Sequence, residues 1–183
     1  MKIYTRRGDD GSTGLFHGGR VAKDEPGPEA YGTVDEAVSA LGVARAAAVG
    51  TLRDRILEVQ RELFVVAAEL ATSSAKRGML VAGESLVTGE MVVRLEGRID
   101  AVEAETGLPT AFVVPGGSAA AAALDVARSV TRRAERRTVT HLRAGGISDS
   151  FVLPYLNRLA DYLYVLERSA ESAWAPSKTE EDA

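Results

Sequence analysis

The chain has 183 residues and 19.3 kDa, with 22 Lys and Arg against 26 Asp and Glu and a formal charge of −4. That is the length of one domain with a sizeable core, without the positive balance of a general polyanion binder. Cys is absent, which excludes disulfides, thiolate zinc sites, iron–sulfur clusters and a cysteine nucleophile.

With 45% hydrophobic and 26% charged residues the composition is that of a folding globular chain. No stretch approaches the roughly 20 apolar residues of a membrane span, and no signal peptide pattern opens the sequence. The expectation is a soluble, cytoplasmic protein with no nucleic-acid or membrane partner. From Lys2 to Pro28 closely spaced Gly and charged residues occur without an apolar period, which reads as a loop or mobile arm. Val34, Ala37, Val38, Leu41 and Ala44 then share one helical face, and the spacing predicts a helix from about Val34 to Val49, ended by Gly50. Leu52, Ile56, Val59, Leu63, Val66 and Leu70 alternate steps of four and three, the seam of a bundle helix running from about Leu52 to Thr72.

Residues Ser73 to Gly83 break the pattern as a solvated loop. Thr88 is placed to cap a third helix with Met91, Leu95, Ile99 and Val102 facing inward, stopped by Gly107 and Pro109. Ser118 is placed to cap an Ala-rich fourth helix reaching about Val139. A fifth starts near Pro154 and buries Leu156, Leu159, Leu163, Leu166 and Ala170. The Val-rich pieces at Phe64 and Phe112 are not read as strands: one lies inside a heptad run and the other is very short. The expected fold is all-α, an antiparallel helical bundle. One domain covers residues 1–175, with residues 1–30 as an arm, and a disordered polar tail covers residues 176–183.

A di-iron bundle would need Glu-x-x-His pairs, and neither His17 nor His141 has a Glu three positions before it. The standard phosphate and dinucleotide loops are also missing. Two features remain. The run Thr5-Arg6-Arg7-Gly8-Asp9-Asp10-Gly11-Ser12-Thr13-Gly14, extended by Arg20 and Lys23, has the glycines and donors of an anion cradle. A solvated arm is the other reading of the same residues. On the fourth helix Arg128, Arg132, Glu135 and Arg136 share one face, widened by Arg133 and Arg137. Five arginines in an acidic protein repel one another unless something anionic offsets them, and Arg suits phosphate or carboxylate. Asp35, Asn157 and Asp161 supply other polar groups able to meet that stripe.

Three blocks occur in order. The arm is followed by Tyr31-Gly32-Thr33-Val34-Asp35-Glu36; Phe112-Val113-Val114-Pro115-Gly116-Gly117 leads to Arg128 and Arg132-Arg133-Ala134-Glu135-Arg136; Leu156-Asn157-Arg158-Leu159-Ala160-Asp161 comes last. From about Tyr4 to Arg168 the chain resembles the PduO-type ATP:cob(I)alamin adenosyltransferases. The resemblance implies a five-helix bundle assembled as a homotrimer, with ATP and the corrinoid between subunits, the Gly-rich arm closed over the triphosphate, and Mg²⁺ accompanying it. It implies attack of cobalt(I) on C5′ of ATP, giving adenosylcobalamin and triphosphate. Thr5, Gly8, Asp9, Gly11, Thr13 and Lys23 would belong to the nucleotide arm, and Arg132, Glu135 and Asn157 would form the other wall. Asp35 and Arg128 would pair near the corrin, and Phe112 would press on its lower face. A flavoprotein reductase and an adenosylcobalamin-dependent mutase are the partners such a role implies. The family's usual Asp-Glu-Leu-Asn reads Asp35-Glu36-Ala37-Val38 here, and Gly27-Pro28 stands where a basic residue is common. The alternatives are a noncatalytic cobalamin carrier, an ATP-sensing oligomeric bundle, or a scaffold docking an acidic partner.

Overall fold

A computed structural model describes residues 3–178. Five α-helices carry it: α1 Pro26–Ala47, α2 Gly50–Leu70, α3 Gly89–Thr106, α4 Ala119–Arg143 and α5 Val152–Ser169. A 3-10 helix, Ser74–Met79, occupies part of the expected loop after α2. Four short strands are present as well: β1 Ser12–Gly14 pairs with β2 Arg20–Ala22, and β3 Val113–Val114 pairs with β4 Ala175–Pro176, both antiparallel.

The all-α reading therefore needs correction at its edges. The arm contains a hairpin, and the Val-rich piece after Phe112 is a strand. The tail expected from residue 176 starts inside a ladder, because Pro176 pairs with Val113; residues 179–183 lie outside the described residues. Helix α1 begins eight residues before its expected start because Pro26 and Pro28 fall in the first turn, where a missing N–H leaves no helical bond unmade.

Side-chain pairings fix the helix directions. Gln60 Nε2 donates to the Val38 carbonyl at 2.9 Å, folding α2 back along α1 about their short link. Arg55 meets Glu105 while Arg98 meets Glu58 and Glu62, so α3 runs against α2. Arg137 meets Glu29 and Arg133 meets Glu36, which sets α4 against α1. Asn157 reaches Glu135 while Glu167 lies nearest Arg128, which sets α5 against α4. The result is an antiparallel bundle.

The tight partnership is α1 with α4. Ala30, Ala37 and Ala44 on α1 and Ala120, Ala127 and Ala134 on α4 recur every seventh residue and are all buried, so the two backbones approach closely. The wider core is aliphatic: Ile56, Val59, Leu63 and Val66 from the α2 seam meet Leu95, Leu124 and the Leu156, Leu159, Leu163, Leu166 row of α5. Each fully buried Leu contributes on the order of 1.5–3 kcal/mol.

One buried carboxylate organises the connections at one end. Glu69, fully buried near the end of α2, accepts from Arg77 Nη1, from the Val87 N–H and from Ser150 Oγ, each at 2.7 Å. It thereby ties the α2–α3 and α4–α5 connections together. Among the described residues no helix is long and apolar enough to cross a membrane.

Candidate active site

The arm is held by its own backbone and two cations. The Lys23 N–H donates to the Gly11 carbonyl at 2.9 Å, and Lys23 Nζ donates to the Gly8 carbonyl at 2.8 Å. Asp10 Oδ1 accepts from the Ser12 N–H at 2.9 Å and from Ser12 Oγ at 2.7 Å. These bonds, with Arg20 nearby, hold the Asp10 carboxyl below its ordinary value. Arg20 clasps Ser12 Oγ and the Arg7 carbonyl, fixing β2 to the loop before β1. Gly8 is a close approach: a Cβ there would lie 3.1 Å from the Ser12 carbonyl oxygen and 3.2 Å from Lys23 Nζ. Thr5, Asp9 and Gly11 are exposed, and Thr13 is half-buried in β1. The hairpin docks on the bundle through the Phe16 N–H, which donates to the Ala71 carbonyl at 3.0 Å. A cavity of about 210 Å³ under it is lined by Leu15, Val21, Gly27, Thr72 and His141.

The arginine run of α4 is divided by its neighbours. Arg133 and Arg137 are taken up by Glu36 and Glu29 of α1. Arg128 turns the other way: its Nη2 lies 2.7 Å from Asp125 Oδ1, and its Nε lies 4.0 Å from Glu167 Oε2. Glu167 is almost fully buried; desolvation raises its carboxyl above the ordinary value, and neighbouring Arg168 works in the opposite direction. Arg132 has neither hydrogen-bond nor ion-pair partner among the described residues. Arg128 and Arg132 line one side of a groove of about 450 Å³, with Glu96 and Asp100 of α3 opposite and Asp161 and Tyr164 of α5 as the floor.

Next to that groove, sharing Arg128 and Tyr164, is a second cavity of about 480 Å³ whose rim is the segment from Pro109 to Val113. Phe112 stands on this rim with 88% of its surface exposed. A large apolar ring left in water on the rim of a cavity is a candidate ligand contact rather than a core residue.

A family model described as cobalamin adenosyltransferase matches residues 3–170. The chain belongs to that family. This cobalamin adenosyltransferase family member is 42% identical over 173 residues to a corrinoid adenosyltransferase of Bacillus subtilis, covering 92% of this chain and 86% of the relative. Against the corrinoid adenosyltransferase of Mycobacterium bovis the identity is also 42%, over 190 residues and 96% and 93% of the two chains. Among solved structures, a phenylalanine-to-alanine variant of the PduO-type ATP:corrinoid adenosyltransferase from Lactobacillus reuteri, complexed with cobalamin and ATP, superposes with a TM-score of 0.87. It shares 31% identity, over 97% of this chain and 100% of that one. An arginine-to-lysine variant of the same enzyme complexed with ATP gives 0.85 at 32% identity.

Within this family member the candidate residues fall into two groups. Thr5, Gly8, Asp9, Gly11, Thr13 and Lys23 gather at the arm. Arg128, Arg132 and Phe112 gather at the groove, with Glu135 and Asn157 beside them, where Asn157 Nδ2 donates to Glu135 Oε1 at 3.1 Å. The expected Asp35–Arg128 pair is not made within the chain. Asp35 is exposed without a partner among the described residues, and Arg128 is held by Asp125 of its own helix and faces Glu167 of α5. The reason is register: Glu36, next to Asp35, meets Arg133, so Arg128 lies more than one turn further along α1. Sequence reasoning missed Asp125, Glu167 and Arg168 around Arg128. Their signal was the Asp125–Arg128 spacing of three and a pair of charges following the apolar run Tyr162 to Leu166 near the end of α5.

Proposed function

We propose that this protein transfers the 5′-deoxyadenosyl group of ATP to cob(I)alamin, forming adenosylcobalamin and releasing triphosphate. The cobalt(I) electron pair forms the new bond to C5′, the C5′–O bond breaks, and triphosphate leaves with that bond's electrons. The chain need supply no nucleophile or general acid. Its tasks are to align the two reactants and to stabilise negative charge on the leaving group, for which fixed cations and backbone N–H groups suffice. The observation that carries this reading is Arg132, a cation without a counter-ion among the described residues, in a groove that shares Arg128 and Tyr164 with the cavity on whose rim the exposed Phe112 ring stands.

Thr5, Gly8, Asp9, Gly11, Thr13 and Lys23 hold the nucleotide, and Arg132, Glu135 and Asn157 form the facing wall. Phe112 lies against the lower corrin face, excludes water and the axial ligand, and so eases reduction of cobalt(II) to cobalt(I). Mg²⁺ fits as a partner of the triphosphate, which brings most of its oxygen ligands.

The working form is a homotrimer with sites between subunits. Two observations support it: Asp35 and Arg128 point to different surroundings in one chain, and the arm docks near His141, roughly 14 Å along α4 from Arg132 at the helical rise. The Asp35–Arg128 pair then forms across the interface. Such an enzyme draws its cobalt(I) from a flavoprotein reductase and hands its product to an adenosylcobalamin-dependent mutase, and it works in the cytoplasm.

The deciding experiment is anaerobic incubation with reduced cobalamin, ATP and Mg²⁺, following the cobalamin spectrum and the phosphate products. Stoichiometric adenosylcobalamin and triphosphate are expected. A bound spectrum without product would mark a cobalamin carrier, and no change at all would mark a scaffold.

A further inference from the structure

No helix packing fixes the Phe112 ring, because it stands exposed on the connection between α3 and α4. What holds that connection is the stretch of chain after α5. Val113 and Val114 pair with Pro176 and Ala175. The Ser177 N–H donates to the carbonyl of Phe112 itself at 2.8 Å. At the other end of the segment, Glu171 Oε1 accepts from the Gly117 N–H at 2.8 Å. A Cβ on Gly117 would come within 2.9 Å of that oxygen, so glycine is what lets the carboxylate reach the backbone.

The grip is rooted in buried charge. Arg168 is 1% exposed; it pairs with Glu167 and, at 3.1 Å, with Glu171, and its guanidinium lies 5.5 Å from the centre of the Tyr164 ring. Trp174 Nε1 donates to the Arg168 carbonyl at 3.3 Å. Ions at a helix end surrounded by apolar residues are a poor source of stability compared with packed hydrophobes, but they do fix geometry. Here they fix the carboxylate that holds Gly117 and, through Glu167, the position of Arg128.

We infer that the strap of residues 171–177 is a positioning device for Phe112, acting through that ring at the step where cobalt(II) loses its axial ligand. The inference rests on the function proposed above. The strap bonds to the backbone of residues 112–117 and to none of the arm residues or Arg132, so ATP binding is outside its reach.

The test is a pair of substitutions at exposed Ser177. Ser177→Pro deletes the N–H that reaches Phe112, at the exposed residue that follows β4, and Ser177→Ala keeps it. Two readouts are taken: the absorption spectrum of bound cob(II)alamin, which reports the axial ligand, and the rates from cob(II)alamin with a weak reductant against chemically pre-reduced cob(I)alamin. Ser177→Pro is expected to retain more axial ligand and to run about fivefold slower from cobalt(II), the size of one lost hydrogen bond, while staying within about twofold from cobalt(I). Ser177→Ala should match wild type, and adding Ser177→Pro to Phe112→Ala should change nothing further. Ser177→Pro indistinguishable from wild type in spectrum and rates would overturn the inference, as would equal losses from both cobalt states with a lowered Tm. Wild type and Phe112→Ala run alongside separate the two levels. A wild type without turnover, or a Phe112→Ala without the split between cobalt states, would remove the functional reading itself and the strap's role with it.

Discussion

The N-terminal arm is built from contacts between near neighbours in sequence, whereas the arginine groove is built from distant ones. Lys23 reaches back 15 residues to Gly8, and Arg20 reaches 8 to Ser12. At the groove, Arg158 spans 62 residues to Glu96, and the Glu171 contact that holds the Phe112 segment spans 54. Most of the arm's donors are backbone groups held by glycines and two cations on the surface. The groove's working groups are side chains whose charges are partitioned by α1 and α5. A change in the arm should therefore alter nucleotide binding while the bundle stays intact. A change at the groove is silent in stability only where the side chain has no partner to strand.

Arg132→Ala is the sharpest way to break this distinction, because Arg132 has no hydrogen-bond or ion-pair partner among the described residues for the substitution to strand. Turnover should fall about a hundredfold, the scale of losing one fixed donor to developing negative charge. The Tm should not move; a folded mutant with wild-type turnover would remove Arg132 from the site.

Phe112→Ala comes next. Starting from cobalt(II) and a weak reductant the rate should drop roughly tenfold, with most of it recovered from pre-reduced cobalt(I) and little change in ATP affinity. Its exposure predicts an unchanged melting temperature, so thermal melts alongside the two rate assays separate a site role from a packing role.

Asp35→Ala and Arg128→Ala sharpen the reading of the groove as one half of an interface. Each should slow turnover about tenfold, and the double mutant should be no slower than the worse single, since both remove one interaction. Fully additive losses would mean two independent roles.

The smallest effect belongs to the arm end. His141 is packed between Gly27 and Gly146, and burial lowers its pKa from the ordinary 6.5. The unfolded chain then binds the proton more readily than the folded one, so stability should decline as pH falls through 6.5 toward the lowered folded value. His141→Gln should flatten that slope by under about 1 kcal/mol between pH 7.5 and 5.5, read from denaturant midpoints.

How much of this was legible in the sequence follows the same division between near and distant contacts. The α2 seam and the Ser118 cap were visible because helical periodicity and capping are local. The seam residues are buried, and Ser118 Oγ accepts from the Ala121 N–H. The start of α1 was hidden because Pro26, Gly27 and Pro28 look like loop composition, although proline suits a first turn. Three-residue strands carry no alternation long enough to detect, and β3 finds its partner more than sixty residues on. The arginine stripe was readable as one face. Its division was not, since Glu36 lies 97 residues from Arg133. The family resemblance supplied the role of Phe112, which residue type alone assigns more readily to a core.

The account stands on one claim above the others, that arm and groove from different copies of the chain complete each site. Co-assembly of Lys23→Glu with Arg132→Ala tests it, because each variant alone should be inactive, one at the arm and the other at the groove. In mixed trimers formed from equal amounts, about a quarter of the interfaces would join an intact arm to an intact groove, and about a quarter of wild-type adenosylation should return. No recovery in verified mixed trimers would contradict the claim and place both halves of the site within a single chain.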